Sequence, residues 1–113
     1  MLLPKAKIID DLKLIQNISQ LQDLNSKYYG EYIKLIEGEK RFTNLQLVEQ
    51  SNSIAGWLTS QDIGRGSRVA FSLGVRSEAF SILPAIWHVG ATVVSMHHKF
   101  SPVQMVSIIA CTN

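Results

Sequence analysis

Apolar positions change period along this chain, and each change marks an element. Residues 68–73 form a short apolar run with Val69 and Phe71 at strand-favouring positions. Residues 77–89 are apolar on nearly every side, and Gly90 separates them from a second β-branched run over residues 92–96. A strand, a helix, a glycine and a strand at these lengths predict a βαβ crossover with parallel strands and a right-handed connection. Pro84 lies inside the helical stretch and removes one backbone donor, so a kink or local adjustment is expected. Phe80 and Trp87 are expected to pack into the sheet, with His88 at the surface or rim.

Upstream, Ile8, Leu12, Ile15, Ile18, Leu21 and Leu24 recur at spacings of four and three, which predicts one amphipathic helix packed on the domain. Its polar face has too few Lys and Arg for a membrane-surface helix. Gly30 opens the next unit. Residues 32–36 read as a strand, residues 37–40 as a tight turn with Gly38 at positive φ, and residues 41–43 as the returning strand of a hairpin. Thr43 and Gln46 make a capping box for a helix reaching about Gln61. Leu47, Val48, Ser51, Ile54, Ala55 and Leu58 share its inner face, and Ser51 reads as a close-packing residue, not a nucleophile. Ser101 and Gln104 form a second capping box, with Pro102 at the first helical position, ahead of a last helix carrying Val103, Val106, Ile109 and Ala110.

The fold class is therefore α/β: a partial doubly wound sheet with a βαβ crossover, an N-terminal helix and a small hairpin. Residues 1–30 form a helical lead-in and residues 31–113 the α/β unit of a single subdomain or fragment. Hydrophobic residues make up 46% of the 113 and charged residues 18%, enough for a core and against disorder. A formal charge of +2, scattered along the chain, gives no footprint for a nucleic-acid partner. No apolar run approaches a membrane span, no signal peptide is evident, and Cys111 stands alone, so the expected location is cytoplasmic.

Candidate chemistry is sparse. The Gly64-x-Gly66 pair follows a helix and precedes a strand, the reverse of a phosphate loop, and reads as a turn. His97 and His98 lie where open α/β sheets place ligands, but adjacent residues on extended backbone point apart and do not share a metal easily. A flavodoxin-like domain would show an acidic cluster or a Gly-rich turn at the strand ends, and neither is present. No residue completes a catalytic or metal site.

The order of the segments resembles the adenylate-forming superfamily: acyl- and aryl-CoA synthetases, firefly-type luciferases and peptide synthetase adenylation domains. Ile33-Lys34-Leu35-Ile36-Glu37-Gly38-Glu39-Lys40-Arg41-Phe42-Thr43-Asn44-Leu45 resembles its A-L-I-x-G-x-x-x-x-T-Y-x-E-L opening. Ser53-Ile54-Ala55-Gly56-Trp57-Leu58 is similar to x-L-A-x-x-L, and residues 63–70 to G-V-x-x-G-D-R-V-A. Val75-Arg76-Ser77-Glu78 stands where N-S-x-E falls, and Gly90-Ala91-Thr92-Val93-Val94-Ser95-Met96 resembles G-A-x-x-V-P-L. Ser67 replaces the usual Asp, Asn44 the Tyr, Gln46 the Glu and Ser95 the Pro.

This resemblance implies the N-terminal structural portion of an AMP-forming acyl-CoA synthetase-like or adenylation ligase, with fatty acid metabolism as the expected setting. Such enzymes join a carboxylate to ATP, giving an acyl-adenylate, and then form a thioester. The family's ATP loop and catalytic lysine lie beyond these segments, so this chain is expected to bind no cofactor alone, with ATP, Mg and CoA implied for a full-length enzyme. Lys99 stands where some CoA ligases place a basic residue near CoA phosphates. The implied partners are the remainder of the ligase or a complementary chain, or a second copy through an open sheet edge. The alternative is a non-catalytic interaction or dimerisation module derived from the same fold.

Overall fold

The computed structural model describes residues 5–74 and 76–112, with side chains from residue 9 onward. Readings placed on Met1, Leu2, Leu3 and Pro4, on the Ile8 side chain and on Val75 lie outside the described residues. The elements run α1 (Lys5–Leu12), α2 (Ile18–Tyr29), β1 (Ile33–Glu37), β2 (Lys40–Thr43), α3 (Asn44–Ser60), β3 (Arg68–Phe71), α4 (Ala79–His88), β4 (Thr92–Ser95) and α5 (Pro102–Cys111).

The βαβ unit forms as its pattern requires. β3 and β4 pair in parallel, with Arg68 opposite Thr92 and Phe71 opposite Ser95. β1 and β2 make the antiparallel hairpin, turned through Gly38 at φ 60°, with a register irregularity between Ile33 and Leu35. Both predicted capping boxes are present. Thr43 accepts the Gln46 N–H at 3.1 Å while Gln46 accepts the Thr43 N–H at 2.9 Å, and Ser101 and Gln104 do the same for α5.

The core lies between α3, α4 and the parallel pair. Ala55, Leu58, Ala85, Ile86 and Ala91 are buried together, and Val69, Phe71, Ile82, Val89 and Val93 close around them. A polar seam stitches three helices beside it. Ser51 Oγ donates to the Ser81 carbonyl at 2.8 Å and accepts from Gln22 Nε2 at 3.2 Å, while Ser81 Oγ donates to Gln50 Oε1 at 2.7 Å. Ser51 is thus a packing residue whose hydroxyl is fully engaged.

Three expectations are corrected. The single N-terminal helix is two helices, because Asn17 adopts extended backbone and its side chain accepts the Gln20 N–H at 3.2 Å. An Asn that can cap a helix start competes with helix continuation, whatever the apolar spacing. Second, α2 buries Ser19 and Gln22, not the apolar stripe, leaving Ile18 and Leu21 exposed. Third, Phe80 and Trp87 do not pack into the sheet. Ile82, Ala85, Ile86 and Val89 occupy that side of α4, and Phe80 and Trp87 project from the other, towards α2. His88 is exposed, as expected.

Candidate functional site

Parallel strands leave their carboxyl ends ringed by loops, and here β3 and β4 deliver residues 72–74 and 97–101 to one edge. Ser72 Oγ donates to the His97 carbonyl at 3.3 Å and joins the two loops. His97 Nδ1 accepts the Lys99 N–H at 3.1 Å, which fixes the start of the turn that presents Lys99. Lys99 is exposed and has no ion-pair partner among the described residues. Gly74 takes φ +63°, and a Cβ there would stand 2.9 Å from His98 Nδ1, so both backbone conformation and space require glycine.

The two histidines do not point apart. Beyond Ser95 the chain leaves the strand, the alternation of extended backbone lapses, and the rings stack at 4.6 Å with 21° between planes. Phe100 leans on His97 at 5.7 Å. No third metal-ligating side chain joins the pair among the described residues, so the donor set here does not fit a Mg²⁺ or other metal centre. The Gly64-x-Gly66 segment is a turn between α3 and β3, closed by the Ser67 N–H donating to the Gly64 carbonyl at 2.9 Å.

A second junction escaped sequence reasoning. α4 lacks a side-chain cap of its own. Glu37, at the end of β1, reaches the segment just before α4 from forty residues away: its carboxylate accepts the Ser77 N–H at 2.7 Å and the Ser77 hydroxyl at 3.1 Å. A carboxylate just ahead of a helix N-terminus complements the helix dipole. These hydrogen bonds, backbone first, then side chain, hold the Glu37 carboxyl below its ordinary pKa, with Lys40 and Arg76 adding to the effect. Read alone, Glu37 was a turn residue, and only the tertiary fold shows its partner.

This arrangement is an α/β unit in which a hairpin buttresses a βαβ crossover. The sequence pattern of the AMP-binding enzyme family matches residues 23–112, and the chain belongs to that family. No curated protein matches it significantly by sequence. Among solved structures it is similar to the N-terminal subdomain of NpsA from Klebsiella oxytoca, at TM-score 0.79 and 19% identity, covering 85% of this chain and 25% of that one. It is also similar to NpsA-ThdA, an artificially fused adenylation-PCP di-domain from Klebsiella oxytoca, at TM-score 0.81 and 19% identity, covering 85% and 18%. VinN gives TM-score 0.79 at 18% identity, covering 83% and 25%. At such identities the likeness is one of fold, and the chain spans about a quarter of the NpsA subdomain and of VinN.

Proposed function

We propose that this chain is the N-terminal structural portion of an AMP-forming acid–thiol ligase, which activates a carboxylate with ATP to an acyl-adenylate and pyrophosphate and passes the acyl group to a thiol. The observation that carries this reading is the match to AMP-binding enzymes over residues 23–112, in a chain that superposes on the N-terminal subdomain of an adenylation enzyme. The NpsA subdomain has been solved in complex with 3-hydroxybenzoyl-AMSN, and NpsA has been joined artificially to a PCP. These neighbours favour an adenylation-domain relative over a fatty-acid-specific enzyme.

The role of residues 5–112 in this reading is to support the face on which nucleotide and acyl group meet. Phosphoryl transfer needs cationic or metal stabilisation of the developing charge, and the described residues assemble no metal site. In this reading ATP, Mg²⁺ and the acceptor thiol belong to the whole ligase. Lys99, exposed at the carboxyl edge, is the cation here suited to an acceptor phosphate.

Carboxylate-dependent ATP–pyrophosphate exchange tests the assignment. The 113-residue chain alone is expected to show none, and the ligase that contains it, or the chain recombined with its complement, to show exchange. Absence of exchange from the native polypeptide across aryl, amino and fatty acids would sink the reading. In the active ligase, Lys99→Ala is expected to raise the KM for a phosphopantetheine acceptor by about tenfold, the effect of losing one charge-assisted contact, with exchange unchanged. An unchanged acceptor KM would remove Lys99 from the site.

A further inference from the structure

The turn that carries Lys99 is held twice by His97. The His97 carbonyl accepts the Phe100 N–H at 3.0 Å, which closes a β-turn with His98 and Lys99 at its corner. The His97 ring reaches over the same turn, and its Nδ1 accepts the Lys99 N–H at 3.1 Å. A side-chain acceptor that takes the N–H two residues on is the device by which Asn and Asp fix turns, performed here by an imidazole. The two bonds pin the peptide groups on both sides of Lys99, and with them the direction in which its side chain leaves the turn.

The ring is itself braced. His98 stacks on it at 4.6 Å and Phe100 leans on it at 5.7 Å. From the loop after β3, Gly74 lies against the His98 ring, and Ser72 Oγ donates to the His97 carbonyl at 3.3 Å. This order converges on an exposed lysine with no ion-pair partner among the described residues. A lysine that serves only hydration needs no fixed direction.

Nδ1 accepts a hydrogen bond only while it carries no proton. Histidine is the side chain whose charge changes between about pH 5 and 8. A proton on Nδ1 sets a donor against the Lys99 N–H and puts a cation two residues from the Lys99 ammonium. The other titratable group against the ring is His98. Ser72 and Gly74, across from it, carry no charge, and no carboxylate lies within ion-pair distance of His97 among the described residues to favour the protonated form.

We propose that His97 is a positioning residue for Lys99: with Nδ1 unprotonated it aims the ammonium at the acceptor phosphate, and protonation releases the turn, so that acceptor capture weakens in acid. This role rests on the ligase reading and adds to it the residue that orients Lys99 and the control of that site by pH.

The test uses the active ligase and a carrier-bound phosphopantetheine, whose phosphodiester does not titrate near neutrality. At about pH 8, His97→Phe keeps an aromatic ring for the stack, loses the acceptor, and is expected to raise the acceptor KM roughly fivefold. His97→Asn, whose Oδ1 accepts the same N–H, is expected to bring it back to within about twofold of the parent. The double variant His97→Phe with Lys99→Ala is expected to match Lys99→Ala alone, because one residue acts through the other. The KM of the parent relative to His97→Asn is expected to rise about fivefold as the pH falls from about 8 to about 5.5. Exchange of the Lys99 amide hydrogen is expected to quicken in His97→Phe and not in His97→Asn. A His97→Phe KM equal to the parent's, while Lys99→Ala raises it, overturns the proposal, as do additive effects in the double variant. A parent KM that falls towards acid relative to His97→Asn would make His97 a phosphate ligand and overturns it too. An acceptor KM unmoved by Lys99→Ala marks the other failure: it removes Lys99 from the site, and the role of His97 with it.

Discussion

Glu37 ties the hairpin to α4 through two hydrogen bonds from Ser77, and the tie is ionic in character. Because its folded pKa lies below the ordinary 4.5, Glu37 contributes stability that is fully present above that value. The contribution is lost as pH falls through the depressed folded value. Glu37→Gln is therefore expected to lower the melting temperature at pH 7, with the difference from the parent closing as the pH is taken below 4.5. A difference independent of pH, measured by thermal denaturation, would mean that the carboxylate charge contributes nothing. Gly74 is constrained differently. An alanine there keeps φ +63° and meets the His98 ring, so Gly74→Ala is expected to cost about 1–3 kcal/mol in chemical denaturation. A neutral result would show that the loop after β3 rearranges freely.

Helices and strands with unambiguous local signals are legible in the sequence. Thr43–Gln46 and Ser101–Gln104 are complete capping boxes within four residues, and the strand–helix–glycine–strand order predicts the parallel pairing of β3 and β4. What the sequence hid was long-range or competitive. Asn17 breaks the first helix through a side-chain bond that apolar periodicity does not register. α4, apolar on both sides, gave no means of telling which stripe faced the sheet, so Phe80 and Trp87 were placed on the wrong one. The His97–His98 stack depends on where the strand ends, a boundary that pattern alone places poorly. At this scale Asn17→Ala is expected to cost roughly 0.5–2 kcal/mol by leaving the α2 start uncapped. Circular dichroism melting measures this, and an unchanged midpoint would show that tertiary packing alone sets the boundary between α1 and α2.

In the molecule as a whole, several apolar surfaces stand open. α5 buries none of its residues, and Val103 and Val106 are 76% and 65% exposed along an otherwise well-capped helix. The parallel sheet has two strands, each with an unpaired edge among the described residues. The chain spans about a quarter of the NpsA subdomain it resembles, and in the proposed reading the rest of the ligase covers these surfaces. The carboxyl edge, where Lys99 stands, was legible from strand order, and in the proposed reading the completing chemistry belongs to the whole ligase. The most direct measurement is the intact mass of the native polypeptide that carries this sequence, isolated from its own cells. A mass several times 12.6 kDa is the expected result, with the rest of the ligase in the same chain. A mass of 12.6 kDa with no second chain co-purifying would contradict the assignment to an adenylating ligase.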